Sequence, residues 1–245
     1  MDTRNDRATW IKGGTAQCRV PPKLRLQPQR LVLLGAPGVG KGTQAELLCA
    51  GLSICHLATA DLLRATTRLT DGEQTPTTCE ALTGMEQVTA IPEHTMLNLI
   101  QERKVCLSCQ GGFLLDGFPR TLSQAKALDD LLTQEQIRIN AVLHYTLPFE
   151  VLIHRLSGRR TCRKCQAVFH ITRPPRVAEI CDHCGGGLAQ REDDFPEAVE
   201  ARILAYERSA KPLIDYYVGH GTLRTISADG SPERIYARTL AILDA

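Results

Sequence analysis

A glycine-rich stretch near the start of the chain constrains the fold more than any other feature. The apolar run from Arg30 to Leu34 indicates a buried strand, and the sequence GAPGVGKGT, residues 35–43, follows it directly. Glycines let backbone N–H groups converge on phosphate oxygens, and the helix expected from near Lys41 points its positive dipole end at the same anion. A glycine-rich turn with an exposed lysine is the alternative, but it does not explain the strand before and the helix after. We therefore predict a phosphate-binding loop, in which the hydroxyl of Thr43 comes one position later than in the general pattern.

Strand and helix patterns alternate along the rest of the chain. Four further strands are expected within residues 53–58, 111–120, 141–147 and 223–230, with helices between them. Such alternation predicts an α/β fold, a doubly wound parallel sheet with a three-layer core. We expect a first helix that stops at Gly51, a second helix over 60–68, a turn-rich break over 70–78 and a helix that begins at Pro92. A long helix is expected from Phe195 to Tyr217, kinked by Pro212, with an inward face formed by Val199, Ile203, Leu204 and Tyr206. The last helix is expected to be capped by Ser231-Pro232.

Length and charge exclude several classes of protein. The chain has 245 residues and a net charge of +2, with acidic and basic residues interspersed, so we expect no nucleic-acid partner. No apolar stretch is long enough for a membrane span, so we expect no membrane partner. Residues 1–29 are basic but carry Asp2 and Asp6, which suits a disordered extension better than a secretory signal, with organellar import as a minority alternative. Scattered cysteines suit a reducing compartment, and we expect a cytoplasmic protein.

Four of the ten cysteines form a bracket with the spacing C-x2-C-x15-C-x2-C. The ligands would be Cys162, Cys165, Cys181 and Cys184, and two tight turns of this kind make a tetrahedral zinc site. Four protein ligands close the site, so catalytic zinc is disfavoured, and neither a redox pair nor a nucleic-acid ribbon has the flanking pattern that it needs. His170 or His183 as a substitute ligand is a weaker alternative. The pattern predicts structural zinc.

Three motifs carry a family resemblance: GAPGVGKGT, then ATADLLR at residues 58–64, then GFLLDGFPRT at residues 112–121. With these motifs in this order, the chain resembles adenylate kinase, in the long form with a zinc-bearing lid, from about Arg30 to the C-terminus. The resemblance implies transfer of the γ-phosphoryl group of ATP to AMP, giving two ADP, by a monomer that uses Mg²⁺ and structural Zn²⁺. Phosphoryl transfer needs alignment and charge neutralisation rather than a nucleophile, so a phosphate loop and several arginines are the expected equipment.

The resemblance also implies roles for individual residues. Those expected to act on the transferring group are Lys41, Asp116, Arg120, Arg159, Arg191 and Arg202. Those expected to bind ATP are Gly38, Val39, Gly40, Lys41, Gly42, Thr43, Arg155, Arg159 and Gly230. Those expected to bind AMP are Thr59, Arg64, Gly117, Arg120, Gln124, Arg191 and Arg202. Asp116, with Thr43 nearby, would orient water around Mg²⁺. Asp193 and Asp194 would either position arginines or simply begin a helix, and Phe118-Pro119 is expected to be cis.

The implied domains are an extension (1–29), core segments (30–58, 89–158 and 195–245), an inserted AMP-binding segment (59–88) and the lid (159–194). So short a lid cannot bury a core of its own, so zinc would stabilise it and thereby carry Arg159 and Arg191 onto the phosphates. Ala60 and Val88 depart from the family pattern, which leaves the acceptor base open. The alternatives are a GTP:AMP or UMP/CMP kinase, or a catalytically silent zinc-ribbon nucleotide-binding protein; Gln124 favours AMP.

Overall fold

The structure is a computed structural model that describes residues 28–59, 74–86, 92–102, 107–108, 111–165 and 167–244. The helix expected over 60–68 lies outside these residues, as does nearly all of the N-terminal extension.

A five-stranded parallel sheet forms the centre of the molecule. Its strands are β1 (Gln29–Gly35), β2 (Cys55–Ala58), β3 (Gly112–Asp116), β4 (Ala141–Thr146) and, after an inserted module, β8 (Leu223–Ser227). The spatial order is β2-β3-β1-β4-β8. The chain therefore leaves β1 first toward one edge and later toward the other, so the carboxyl end of β1 lies at a topological switch point, where ligands bind in sheets of this type.

Helices cover both faces of the sheet, as the alternating pattern predicts. They are α1 (Lys41–Leu52), α2 (Pro76–Glu86), α3 (Glu93–Gln101), α4 (Leu122–Gln134), α5 (Phe149–Ser157), α6 (Pro196–Gly219) and α7 (Pro232–Leu243). Alternate residues of β1 feed the two layers: Leu31 and Leu33 pack in one core cluster, and Val32 and Leu34 in the other. Helix α6 spans both layers, because its first half packs in the first cluster and its second half in the second. The predicted three-layer α/β core is confirmed.

A second, smaller sheet interrupts the core between α5 and α6. Its strands β5 (Arg159–Cys162), β6 (Val168–His170) and β7 (Leu188–Ala189) lie in the order β6-β5-β7, and both pairings are antiparallel. We call residues 159–189 the cysteine module.

Three sequence expectations about helices are wrong. Helix α1 continues past Gly51 to Leu52 and ends because Ser53 takes the left-handed conformation, with φ 55°. Residues 76–78 belong to α2 rather than to a turn-rich break, since Pro76 suits a first helical turn. Leu204 is 42% exposed because the buried stripe of α6 runs through Val199 and Ile203 instead.

The cap expected at the start of the last helix is confirmed. Ser231 caps α7 by accepting a hydrogen bond from the Arg234 amide at 3.4 Å, with Pro232 in the first turn. Helix α6 continues through Pro212 as one element, and the kink expected at that proline stays a prediction. Among the described residues, no helix is both long and apolar enough to span a bilayer.

Candidate active site

The phosphate loop joins β1 to α1 at the switch point of the sheet. Gly38 and Gly40 have φ values of 80° and 105°, which favour glycine. A Cβ atom on Gly38 would lie 2.6 Å from Cγ of Leu156, so the loop packs too tightly against α5 for any side chain there. Gly40 is the N-cap of α1, and no side chain hydrogen-bonds there, which leaves the first turn suited to an anion.

Lys41 folds back over this loop. Its Nζ donates to the carbonyl oxygens of Gly35 at 2.6 Å and Ala36 at 3.0 Å. The ammonium is thus held at the centre of the loop by neutral carbonyl groups, which an anionic phosphate can outcompete.

The electrostatic surroundings of Lys41 include three of the other predicted site residues. Burial lowers the pKa of Lys41 to about 8, Asp116 opposes that change, and Arg120 and Arg202 add to it. The sheet and α6 therefore bring Asp116, Arg120 and Arg202 into electrostatic range of the loop lysine. Such a concentration of positive charge needs a polyanion to balance it.

Asp116 is the last residue of β3, at the carboxyl end of that strand. Burial would raise the pKa of Asp116, but His56, Lys41 and Arg120 outweigh it and hold that pKa below its ordinary value. His56 Nε2 lies 3.5 Å from Asp116 Oδ2. Thr59 Oγ1 donates to the Asp116 carbonyl oxygen at 3.4 Å. Asp116 is therefore an ionised carboxylate at the site edge.

The turn after β3 shapes the expected acceptor side. Gly117 has φ 87°, and a Cβ there would lie 2.5 Å from Thr59 Oγ1. The Phe118–Pro119 peptide is cis, as expected. Arg120 donates from Nε to the Gly117 carbonyl oxygen at 2.8 Å, and its amide donates to Gln124 Oε1 at 2.8 Å. Gly117, Arg120, Gln124 and Thr59 are thus one connected group.

On the expected donor side, Arg155 connects two loops. Its guanidinium donates to the Val39 carbonyl oxygen at 3.3 Å and to the Ala228 carbonyl oxygen at 3.2 Å. Burial lowers the pKa of Arg155, and nearby Asp229 opposes that change. Gly230, the residue after Asp229, has φ 109°, and a Cβ atom there would contact the side chain of Arg234. The phosphate loop and the loop after β8 therefore share one cationic anchor.

Arg159 and Arg202 meet at a fully buried carboxylate. Arg159 donates from Nε and one terminal nitrogen to the two oxygens of Asp194, at 2.7 and 2.6 Å, and Asp194 is 0% exposed. Arg202 donates to the Asp193 carbonyl oxygen at 2.7 Å, pairs with the Asp193 carboxylate at 2.9 Å, and lies 3.4 Å from Asp194. Of the two readings of these aspartates, the geometry favours positioning of arginines.

The other predicted residues are less constrained. Gly42 and Thr43 are exposed at the start of α1, and Arg191 is half-buried where the cysteine module returns to the core. Arg64, Ala60 and Val88 lie outside the described residues.

The four cysteines of the bracket lie close together, as predicted. The Sγ atoms of Cys162, Cys165, Cys181 and Cys184 all lie within 4.8 Å of one another, and all four are free thiols. Four sulfurs about 2.3 Å from a tetrahedral zinc ion would stand about 3.8 Å apart, so the set fits zinc. Backbone amides, that of Cys165 first, hold the pKa of Cys162 below its ordinary value against the effect of burial, whereas burial raises the pKa of Cys165, so the fit to zinc rests on the sulfur geometry.

Neither histidine of the module joins this cluster within the described chain. His170 Nδ1 lies 2.7 Å from Thr172 Oγ1, and the His183 ring lies tilted beside that of Phe169, with 6.0 Å between the ring centroids. Among its described residues, the buried apolar cluster of the module consists of Cys162, Ala167 and Cys181, and Thr161 is buried as well. Cysteine side chains thus make up most of its apolar core.

Sequence reasoning missed two polar contacts. His56 faces Asp116 from β2, and Gln190 bridges the two ends of the cysteine module. His56 stands among apolar residues in β2, and nothing in the sequence pairs it with a carboxylate sixty residues later. Gln190 stands next to Arg191, which is the only sequence signal that it had.

Comparisons with known proteins agree with this geometry. A family model described as adenylate kinase matches residues 33–222. The chain is 44% identical over 214 residues to an adenylate kinase of Syntrophobacter fumaroxidans, an alignment covering 87% of this chain and 99% of the relative. It is 42% identical over 209 residues to the adenylate kinase of Carboxydothermus hydrogenoformans, covering 85% and 96%. It is also 42% identical over 218 residues to that of Streptomyces griseus, covering 88% and 98%. The chain therefore belongs to the adenylate kinase family.

Proposed function

We propose that this protein transfers the γ-phosphoryl group of ATP to AMP and so forms two ADP. An oxygen of the AMP phosphate bonds to the γ-phosphorus as the bond to the β–γ bridging oxygen breaks, so ADP forms on both sides. The observation that carries the proposal is the phosphate loop at the switch point, over which the carbonyl oxygens of Gly35 and Ala36 hold the Lys41 ammonium. Asp116, Arg120 and Arg202 lie within electrostatic range of that ammonium, and we expect this group of charges to surround the transferring phosphoryl group.

The donor would bind along the phosphate loop. Backbone N–H groups from Gly38 to Thr43 would hold its phosphates, and Lys41 would exchange two carbonyl partners for phosphate oxygens. Arg155 and Gly230, between the phosphate loop and the loop after β8, suit the nucleoside end. Arg159, from the cysteine module, would place its positive charge beside the transferring phosphoryl group.

The acceptor would bind beside the turn after β3. Arg120 would bind the AMP phosphate and the transferring group, while Gln124 and Thr59 suit the base and ribose side. Arg64 would hold the same phosphate. Arg191 and Arg202, at the junction of the cysteine module with α6, would neutralise charge between the two nucleotides.

Mg²⁺ and Zn²⁺ complete the proposal at separate places. Mg²⁺ would neutralise charge on the phosphate oxygens, and the ionised Asp116 suits orientation of its water ligands, with Thr43 across the loop. Zn²⁺ would be bound by Cys162, Cys165, Cys181 and Cys184. It would serve folding alone, because four protein ligands leave no open coordination position. Among the described residues, Cys49 and Cys79 form no disulfide, which suits a reducing compartment such as the cytoplasm.

An acceptor panel tests the proposal. ADP formation from ATP is followed in a coupled assay with AMP, GMP, CMP and UMP in turn, and we expect AMP to give the highest kcat/KM. If CMP or UMP gives the fastest turnover, the assignment of AMP as the acceptor is wrong. GTP in place of ATP, with AMP as acceptor, tests the donor base. Absence of turnover with every pair would leave only a nucleotide-binding role.

A further inference from the structure

One side chain joins the two places where the chain enters and leaves the cysteine module. The entry crossing is residues 157–159, where α5 ends and β5 begins, and the exit crossing is residues 190–194, between β7 and α6. Gln190 Nε2 donates to the Ser157 carbonyl oxygen at 3.1 Å and to the Asp194 carbonyl oxygen at 3.0 Å. One amide group therefore uses both of its N–H bonds, one on each crossing.

The bonded carbonyls belong to positions that matter for the arginines. Ser157 is the last residue of α5, where helix carbonyls lack partners in the helix, and Arg159 follows two residues later. Asp194 carries the buried carboxylate that binds Arg159 in bidentate fashion. Arg191 is the next residue after Gln190. The amide thus holds the backbone at both ends of the Arg159–Asp194 pair.

We propose that Gln190 is a positioning residue that clasps the two crossings, so that the cysteine module presents Arg159 and Arg191 to the phosphates in a fixed relation. This role rests on the proposed function for its effect on turnover, but the clasp itself is a property of the nucleotide-free protein. Gln is required chemically because Glu lacks the two donors and Asn is one methylene shorter.

The first test measures the clasp without substrate. Gln190→Ala and the exposed control Gln134→Glu are compared by amide hydrogen exchange and zinc content. We expect faster exchange at both crossings in Gln190→Ala only, with zinc content unchanged. Faster exchange at one crossing alone, or at neither, overturns the clasp. Loss of zinc also overturns it, because the effect would then be on folding of the module.

The second test measures turnover. Loss of the two bonds should lower kcat about tenfold, while KM for either nucleotide changes by less than about threefold, since Gln190 is not among the residues expected to bind ATP or AMP. Gln190→Glu should lose activity at neutral pH and recover part of it, relative to wild type, as the pH falls, because a protonated carboxyl group regains one donor. A pH-independent ratio overturns the positioning role. If wild type makes no ADP, the proposed function fails, and the exchange result still decides the clasp.

Discussion

At the scale of single residues, Lys41 links the geometry of the site to its pH dependence. Burial places its pKa near 8, so the free protein loses the ammonium proton as the pH rises through that value, well below the ordinary 10.5. Bound phosphate favours the ammonium form. Binding of ATP should therefore restore a proton at alkaline pH.

We predict that ATP binding takes up protons at pH 8.5 and weakens as the pH rises above about 8. Calorimetry in two buffers with different ionisation enthalpies measures the uptake directly. Lys41→Arg is the control, since a guanidinium keeps its charge over this range. Zero proton uptake by wild type at pH 8.5, or an equal loss of affinity in the arginine variant, would contradict the assignment.

A second prediction concerns Asp194, which is fully buried between Arg159 and Arg202. Asp194→Asn leaves two guanidinium groups without their shared counter-charge, so we expect a loss of about 3 kcal/mol in the free energy of unfolding. Turnover should fall as well, because the two arginines would repel each other.

The matched control is Asp215→Asn. Asp215 pairs with Lys211 at 3.4 Å on the surface of α6, where both side chains are largely exposed. That pair should contribute less than about 1 kcal/mol. Equal losses in urea denaturation for the two variants would refute the view that burial makes the Asp194 cluster important.

At the scale of elements, the phosphate loop was the part most fully predictable from sequence. Its glycines, its lysine and its place between strand and helix follow from local rules that need no knowledge of the remaining chain. The end of α1 was not predictable in the same way. Gly51 is the expected stop, yet the helix ends at Leu52 and is capped by Ser53 in the left-handed conformation, which residues other than glycine seldom adopt.

Two glycines of this element should respond oppositely to alanine. Gly38→Ala introduces a Cβ atom 2.6 Å from Leu156 at a positive φ, so we expect destabilisation by at least about 1 kcal/mol. Gly42→Ala meets no atom within 4 Å and lies in helix α1, so stability should be unchanged or rise by up to about 1 kcal/mol. Thermal denaturation distinguishes them; a lower Tm for Gly42→Ala than for Gly38→Ala would be inconsistent with the packing described.

The cysteine module is the second element whose chemistry the sequence predicted, because the spacing alone fixes four sulfurs on two turns. Because its apolar core is small, we expect folding of the module to depend on a bound metal ion. We predict that Cys165→Ser, or a strong chelator, unfolds the module at a lower temperature than the core. Limited proteolysis during heating should cut first within residues 159–189. Cys79→Ser, at an exposed thiol, should retain zinc and cleave like wild type. Simultaneous cleavage of module and core in Cys165→Ser would show that the metal is not needed.

At the scale of the whole molecule, alternation of strands and helices predicted the layers, but not which residues meet. The contact between His56 and Asp116 depends on β2 pairing with β3, and the clasp of Gln190 depends on two crossings that are 33 residues apart. Leu204 was expected inside for its hydrophobicity alone, and only the packing of α6 across both layers decides its exposure. Local rules thus predict the elements, whereas long-range polar pairs require the assembled sheet.

In the proposed reaction, one ATP and one AMP become two ADP with no loss of phosphate to water. Phosphorus NMR of a mixture of ATP, AMP, Mg²⁺ and the protein measures all species at once. We predict that ADP appears at two molecules per ATP consumed, with AMP falling at the same rate and no inorganic phosphate above the level of a protein-free sample. Release of inorganic phosphate, or ATP and AMP that both persist unchanged, would contradict the account.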